Sequence, residues 1–202
     1  MLESALLNTG MERIAGVDEA GRGACAGPLV VAAVMLKDPH SSSLAVIKDS
    51  KLLSPAQRER AFPIIQEHAS SISIISISSE EIDRDGLHQS NLEGMRRAVA
   101  GLDHEPEFIF TDGYSIPGLS SPNLAVWKGD QVAVSISAAS IIAKVTRDQI
   151  MIELDSRYPG YGLARHKGYG TRGHHHAIEI NGLLPIHRRS YSNIARLLSV
   201  TQ

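Results

Sequence analysis

The sequence predicts one α/β domain that ends in a helical, basic extension. The chain has 202 residues, which is enough for a single sizeable core. Short apolar runs typical of strands alternate with longer segments typical of helices. Positive charge is concentrated after residue 156, where the chain has seven Lys and Arg residues and one acidic residue. Residues 1–156 have thirteen Lys and Arg residues and twenty-one acidic residues. We therefore place the domain at 12–202, with a core at about 12–157 and the extension at about 158–202.

The first elements are predicted to form a hairpin. Residues 13–17 read as a short strand that ends at Asp18 and Glu19. A glycine-rich stretch follows, and Leu29–Leu36 is a nearly continuous apolar run that suits a buried strand. Because the connection is short, we expect the two strands to pair antiparallel.

The rest of the core alternates between helices and strands. Ser54 followed by Pro55 is typical of a helix start, with serine as the cap and proline at the first helical position. Ile and Ser alternate from residue 71 to 78, which is the period of a strand. The full set after the hairpin is a helix at 57–68, a strand at 71–78, helices at 80–85 and 91–101, strands at 108–111 and 124–127, and a long helix at 137–157.

Four acidic residues stand at predicted strand ends or in loops. Asp18 and Glu19 end the first strand, Asp112 ends another, and Asp130 follows Lys128-Gly129 in a loop. Adjacent strand residues point to opposite faces, so we expect the chain to leave the strand at Asp18 and Glu19 if both are to reach one site. Acids at strand ends converge at one edge of an α/β sheet, where such proteins place ligands.

A carboxylate cluster of this kind favours a divalent metal site. Hard oxygen ligands without a Cys/His pattern suit Mg²⁺ or Mn²⁺ better than zinc. Two such ions about 4 Å apart can activate a water molecule and stabilise the leaving oxygen in phosphoryl transfer. We therefore expect Mn²⁺ or Mg²⁺ as the cofactor, in a site for two ions.

Seven blocks in order resemble the type 2 ribonucleases H, the ribonuclease HII family of bacteria. They run from about Ile14 to Tyr191. The blocks are GVDEAGRG at 16–23 with AGP at 26–28, DSKLL at 49–53, TDG at 111–113, KGD at 128–130, SAASIIAKVTRD at 137–148, HKGYGT at 166–171 and IHRRSY at 186–191.

The resemblance implies a ribonuclease H-like three-layer α/β/α fold with a mixed sheet. It also assigns roles residue by residue. The catalytic and metal-binding positions would be Asp18, Glu19, Asp112 and Asp130, and the substrate-binding positions would be Gly21, Arg22, Gly23, Lys51 and Tyr169. Glycines expose backbone amides and carbonyls, which can meet the 2′-hydroxyl that distinguishes ribose from deoxyribose.

The implied activity is metal-dependent endonucleolytic hydrolysis. The resemblance implies cleavage of the RNA strand of RNA–DNA hybrids and cleavage 5′ of single ribonucleotides in duplex DNA, leaving 3′-hydroxyl and 5′-phosphate ends. Its partners would be those nucleic acids, in the removal of misincorporated ribonucleotides and of hybrids. We expect a cytoplasmic protein, since no signal peptide or membrane-length apolar run is present and the one cysteine cannot form an internal disulfide. We also expect a monomer.

Two rival functions stay open at this point. The type 3 ribonucleases H resemble the same core but carry an added N-terminal substrate-binding domain, for which the block beginning at residue 14 leaves no room. A catalytically silent nucleic-acid-binding module is the other rival. It would gain nothing from four carboxylates placed beside phosphate, since like charges repel.

Three further features have competing interpretations. His174-His175-His176 could bind a metal, but adjacent helical residues do not share a face. Cys25 lies near the acidic pair, yet no basic activator surrounds it in the sequence, which favours a packed residue. Asp148 lies in a matching block on a helix, where a supporting role is favoured over direct metal ligation.

Overall fold

A five-stranded mixed sheet forms the middle layer of the protein. The computed structural model describes residues 2–47 and 50–200. The strands are β1 (Ile14–Ala20), β2 (Leu29–Leu36), β3 (Ala69–Ile77), β4 (Phe108–Asp112) and β5 (Asn123–Val126).

The strand order is β3-β2-β1-β4-β5. β2 pairs antiparallel with both β1 and β3, which confirms the predicted hairpin. β1 pairs parallel with β4, and β4 pairs parallel with β5. Because β1, β4 and β5 run in the same direction, their carboxyl ends lie at one edge of the sheet.

The helices lie on both faces of the sheet and in the extension. They are α1 (Leu2–Leu7), α2 (Pro55–His68), α3 (Ser79–Asp85), α4 (Leu87–Ala100), α5 (Val134–Arg157), α6 (Leu163–His166), α7 (Arg172–Asn181) and α8 (Ser192–Val200). Short 3-10 helices span Ser42–Ile47, Ser50–Leu52 and Gly129–Gln131. The start of α2 is as predicted, because Ser54 caps it and forms a reciprocal pair of hydrogen bonds with Gln57. Within the described residues, no helix has both the length and the apolar character needed to cross a membrane.

Two hydrophobic clusters fasten the helices to the sheet. One face packs against α5 and α2, through residues such as Val34 and Ile142. The other face packs against α4, through residues such as Val31 and Met95. This three-layer arrangement is the one that the resemblance implied. The close approach of α5 to β1 depends on Gly16, because a Cβ there would lie 2.0 Å from the carbonyl carbon of Ser135.

Both ends of the chain pack onto this core. In the extension, Leu163, Ile178 and Ile194 form a cluster with Met151 of α5. At the other end, the buried carboxylate of Glu3 in α1 accepts hydrogen bonds from the N–H and hydroxyl of Ser135 at 2.9 and 2.8 Å. The α1 helix precedes the predicted domain start at residue 12 and still contacts the core.

Candidate active site

A pocket of about 400 Å³ opens where β1 and β4 end. Three of the four predicted carboxylates line it: Asp18, Glu19 and Asp112. The loop between β1 and β2, residues 21–28, is called the glycine loop here, and its residues Gly21, Arg22 and Gly23 line the pocket as well. The predicted Tyr169 also lines it, together with Ser50, Arg58, Ser140 and Lys144. The parallel pairing of β1 with β4 explains this convergence, since both strands deliver their last acidic residues to the same edge.

Asp18 and Glu19 reach the pocket by a route other than the predicted one. β1 continues through Ala20, so the chain does not leave the strand at the acidic pair. Asp18 shares the α5 face with Gly16 and lies beside Ser140 of α5, whereas Glu19 shares the α4 face and lies beside Asn91 of α4. The pocket therefore straddles the end of the sheet and receives one carboxylate from each face.

Asp18 is the most buried of the pocket carboxylates, with 4% of its surface exposed. Burial raises the pKa of its carboxyl well above the ordinary value, and the neighbouring charges of Glu19 and Asp112 raise the pKa further. The Ser140 hydroxyl and the Glu19 N–H, which donates to Asp18 Oδ1 at 2.7 Å, lower the pKa in part. The site therefore holds unfavourable negative charge that a bound cation would relieve.

Neighbouring groups shift the pKa of the Glu19 carboxyl in opposite directions. Burial raises the pKa of its carboxyl, the Arg22 guanidinium lowers it, and Asp112 raises it. Arg22 Nη1 lies 3.6 Å from Glu19 Oε1, and its guanidinium also stacks 4.5 Å from the ring centre of Tyr114. Among the described residues, Glu19 Oε2 is buried without a hydrogen-bond partner. One oxygen of Glu19 is thus oriented by Arg22, and the other is a candidate ligand atom.

Asp112 and Asp130 are connected through the loop after β5. Asp112 Oδ1 accepts a hydrogen bond from the N–H of Gly129 at 3.0 Å. Asp130 is buried in the 3-10 helix, and its Oδ2 accepts from the hydroxyl of Ser50 at 3.2 Å. Ser50 lines the pocket and Asp130 does not, so the hydrogen bond to Ser50 connects Asp130 to the pocket wall.

The donor set fits a hard divalent cation. In the part of the chain that the structure describes, no three His, Cys, Asp or Glu side chains converge tightly enough to hold an ion. Asp18, Glu19 and Asp112 nevertheless line one pocket. The raised pKa of Asp18 and the buried, unpartnered Oε2 of Glu19 are the features expected where a positive charge completes a site.

Four of the five predicted substrate-binding residues line the pocket: Gly21, Arg22, Gly23 and Tyr169. Gly21 has φ +99°, a conformation that favours glycine, and Gly23 leaves space beside Tyr169, since a Cβ there would lie 3.5 Å from Tyr169 Cε1. The ring of Tyr169 is 40% exposed. The backbone of Lys51 lies in the 3-10 helix Ser50–Leu52. Its side chain lies outside the described part of the structure, as does residue 49 of the same block.

Sequence reasoning missed several residues of this site. Lys144 lines the pocket and donates to Asp148 Oδ1 at 2.7 Å, which gives Asp148 the supporting position that the sequence favoured. Arg147 and Arg188 lie fully buried behind the glycine loop. All these residues fall inside matching sequence blocks, but only the fold shows that blocks from α5 and from the C-terminal extension meet behind a loop of the N-terminal hairpin.

Cys25 packs against His174, the first residue of the histidine tract, with its Sγ 3.7 Å from His174 Nδ1. Cys25 is buried with its Sγ 3.4 Å from the carbonyl of Gly168, and burial raises the pKa of its thiol, as expected for a packed residue. His174 is buried with its Nε2 3.1 Å from His187 Nε2, whereas His176 is exposed and lies 3.6 Å from Glu179. His174 and His176 therefore lie in different environments, one buried beside His187 and the other at the surface beside Glu179.

The layered mixed sheet, with acidic residues at the ends of its parallel strands, is that of a nuclease with the ribonuclease H-like fold. A family model described as Ribonuclease HII matches residues 15–194. The chain belongs to the ribonuclease HII family and is an endoribonuclease.

Relatives and solved structures agree with this assignment. A ribonuclease HII of Rhodococcus opacus (strain B4) is 52% identical over 98% of this chain and 87% of its own length. The crystal structure of ribonuclease H2 from Pyrococcus horikoshii OT3 superposes with a TM-score of 0.80, at 27% identity, over 93% of this chain and 98% of that chain. A ribonuclease HIII, Bst-RNase HIII in complex with Mn²⁺, shares the fold with a TM-score of 0.72, at 24% identity, over 94% of this chain and 70% of that chain.

Proposed function

We propose that this endoribonuclease hydrolyses the RNA strand of RNA–DNA hybrids and cuts 5′ of single ribonucleotides embedded in duplex DNA. Water attacks the phosphorus on the 5′ side of the ribonucleotide, and the bond to the upstream O3′ breaks. The upstream nucleotide keeps a 3′-hydroxyl and the ribonucleotide keeps a 5′-phosphate. Such an activity removes misincorporated ribonucleotides and hybrids, and we place it in the cytoplasm.

One observation carries the proposal. Asp18, Glu19 and Asp112 line the same pocket as the glycine loop and Tyr169. The carboxylates are suited to hydrolysis of a phosphodiester, and the glycine loop and Tyr169 are suited to contact with a sugar. Cleavage and ribose recognition can therefore take place at a single bound nucleotide.

The carboxylates are proposed as the metal-binding and catalytic groups. Asp18, Glu19 and Asp112 would bind the ions from the pocket, and Asp130 would act through its hydrogen bond with Ser50. Bound Mg²⁺ or Mn²⁺, in a site for two ions, supplies the activation of water and the stabilisation of the leaving oxygen. The raised pKa of Asp18 supports a metal-binding role for this carboxylate. Its ionised form is disfavoured in the empty pocket and would be stabilised by a bound cation.

Basic groups of the pocket would hold the phosphate. Asp148 fixes the ammonium of Lys144 by a 2.7 Å hydrogen bond, which limits the freedom of that flexible side chain. The guanidinium of Arg58 is fixed in a similar way, by donation to the carbonyl of Leu53. We assign Lys51 to the same phosphate-binding group on the basis of its sequence block.

The activity is tested by mapping cleavage on a labelled duplex that contains one ribonucleotide. With Mn²⁺ or Mg²⁺ the labelled strand should be cut once, on the 5′ side of the ribonucleotide, and the downstream product should carry a 5′-phosphate. An all-DNA duplex and a reaction with chelator are the controls. Binding without cleavage at any metal concentration would favour the nucleic-acid-binding module instead.

Tyr169 is proposed to pack against the ribose. Tyr169→Ala should reduce the cleavage rate at a single ribonucleotide by at least roughly tenfold, the scale of one net hydrogen bond with its packing. A long all-RNA strand should be affected less, because it offers many binding registers. Tyr169→Phe keeps the ring and separates the hydroxyl from the packing contribution. Equal losses on both substrates together with a lower melting temperature would show that Tyr169 only packs the extension.

A further inference from the structure

The glycine loop rests on two fully buried arginines, Arg188 and Arg147. Arg188 makes most of the contacts. Its Nη1 donates to the carbonyl of Gly21 at 2.8 Å and to that of Arg22 at 3.2 Å. Its Nε and Nη2 both donate to the carbonyl of Gly27, at 3.1 and 3.0 Å. A single guanidinium therefore holds both ends of the glycine loop.

Arg147 supports the same loop from α5. Its Nε donates to the carbonyl of Pro28 at 2.9 Å, and its Nη2 donates to that of Ala26 at 3.2 Å. The loop fits around it without spare room, because a Cβ on Gly21 would lie 2.0 Å from Arg147 Nε. The guanidinium also lies 5.7 Å from the ring centre of Tyr169. Arg147 is thus in contact with both parts of the proposed ribose-binding wall.

Neither arginine is held there by a carboxylate. Within the described residues, neither forms an ion pair, and Arg147 Nη1 is buried without a hydrogen-bond partner. Burial lowers the pKa of Arg147 to about 10, so it stays charged at neutral pH. Burying two guanidinium groups is unfavourable unless their donors are satisfied, and here the acceptors are five carbonyl groups of one short loop. A loop that needed only packing could be filled by apolar side chains at lower cost.

The contacts determine which groups the loop presents to the pocket. The carbonyls of Gly21 and Arg22 are turned inward and accept hydrogen bonds from Arg188. Within residues 2–47 and 50–200, the N–H groups of Arg22 and Gly23 have no hydrogen-bond acceptor. The glycine loop therefore offers amide donors to an oxygen atom, such as that of a 2′-hydroxyl or a phosphate.

We propose that Arg188 and Arg147 are positioning residues for ribonucleotide recognition, which turn the carbonyls of the glycine loop inward so that its amides face the bound nucleotide. This inference rests on the proposed function. Tyr191 completes the arrangement, since its hydroxyl accepts from Arg188 Nη1 at 2.7 Å and donates to the carbonyl of Arg22 at 2.5 Å. The two buried positive charges also favour an anion above the loop, where the phosphates of the substrate would lie.

The test compares two substrates in three variants of the full chain. Arg188→Lys keeps the charge but loses the fork of donors, and Tyr191→Phe removes only the hydroxyl. Arg189→Lys is the matched control, because the neighbouring arginine is exposed. For each protein, kcat/KM is measured on a duplex with one ribonucleotide and on a long RNA–DNA hybrid, well below its melting temperature.

The ratio is kcat/KM on the duplex with one ribonucleotide divided by kcat/KM on the long hybrid. Arg188→Lys should lower this ratio by at least about tenfold, since recognition of a hydroxyl depends on fixed donors. Tyr191→Phe should lower the ratio by about threefold, as one hydrogen bond of the network is lost. Arg189→Lys should leave the ratio unchanged. A purely structural role would lower the melting temperature and both activities in proportion, with the ratio constant, and would overturn the inference. If Arg188→Lys does not fold, an unchanged ratio in Tyr191→Phe alone overturns it. A wild-type protein that cuts neither substrate would refute the proposed function instead.

Discussion

Replacing Asp112 with Asn should abolish cleavage and, in the metal-free protein, raise the melting temperature. Asp112 is one of the charges that raise the pKa values of Asp18 and Glu19. A carboxyl with a raised pKa binds its proton more tightly in the folded state than in the unfolded state. The folded state is then favoured at low pH and loses stability as pH rises from the ordinary pKa to the raised one.

The size of the effect follows from the pKa. Each pKa unit by which Asp112 raises either neighbour corresponds to about 1.4 kcal/mol. In a protein of this size, that free energy changes the melting temperature by about 3–5 °C. Asparagine can still accept the 3.0 Å hydrogen bond from Gly129, so the local structure should persist. The loss of one metal ligand should reduce turnover by at least about a hundredfold.

The assay is a series of thermal melts in chelator between pH 4 and pH 8, with cleavage measured in parallel. Asp155→Asn, a substitution on α5 outside the pocket, is the control for loss of a carboxylate. Wild-type protein should lose stability relative to Asp112→Asn as pH rises, and Mg²⁺ or Mn²⁺ should restore it more strongly at pH 8 than at pH 5. A constant difference across this range, or near-normal turnover of the variant, would remove Asp112 from the charged cluster.

Three other changes probe the extension, the contact of sheet and helix, and the buried histidine. Arg165 and Arg172 line a second depression. Changing both to Gln should lower the slope of log affinity against log salt by about two without changing the melting temperature, and an unchanged slope in anisotropy titrations would exclude them from phosphate contact. Gly16→Ala should reduce the free energy of unfolding by at least about 2 kcal/mol, because its Cβ would lie 2.0 Å from the backbone of Ser135; a denaturant midpoint equal to that of wild type would show that α5 can move away. Burial lowers the pKa of His174 to about 4, so the folded state keeps it neutral while the unfolded state takes up a proton. Stability should therefore be lost as pH falls from about 6.5 to 4, by roughly 3 kcal/mol, and His174→Gln should flatten this part of the profile.

Local signals predicted the elements of the fold well. Ser54 and Pro55 mark the start of α2, and the short glycine-rich connection correctly indicated the antiparallel pairing of β1 and β2. The predicted end of β1 was wrong, because Asp18 and Glu19 were expected to terminate the strand and it continues through Ala20. That expectation assumed that a site must lie on one face of the sheet, whereas this pocket lies across its end and accepts side chains from both faces.

Contacts between distant parts of the chain could not be predicted from spacing alone. Arg147 lies about four turns into α5, and Arg188 lies in an irregular segment of the extension. Neither shows a local pattern that distinguishes a buried guanidinium from a surface one, and arginine is usually exposed. Only the packing of the extension against α5 brings both behind the glycine loop.

The arrangement of charge in the pocket links metal binding to substrate binding. Carboxylates enter from β1 and β4, whereas the buried guanidiniums of Arg147 and Arg188 lie behind the glycine loop. Without a cation, the carboxylates repel a phosphate that the loop would attract, and the two effects oppose each other at one nucleotide. A bound cation removes the repulsion, so each ligand should strengthen binding of the other by the same factor. Under the proposed function, the amides of Arg22 and Gly23 would contact the sugar and the ions would contact the phosphate, so a deoxynucleotide in the same position would satisfy only one of the two.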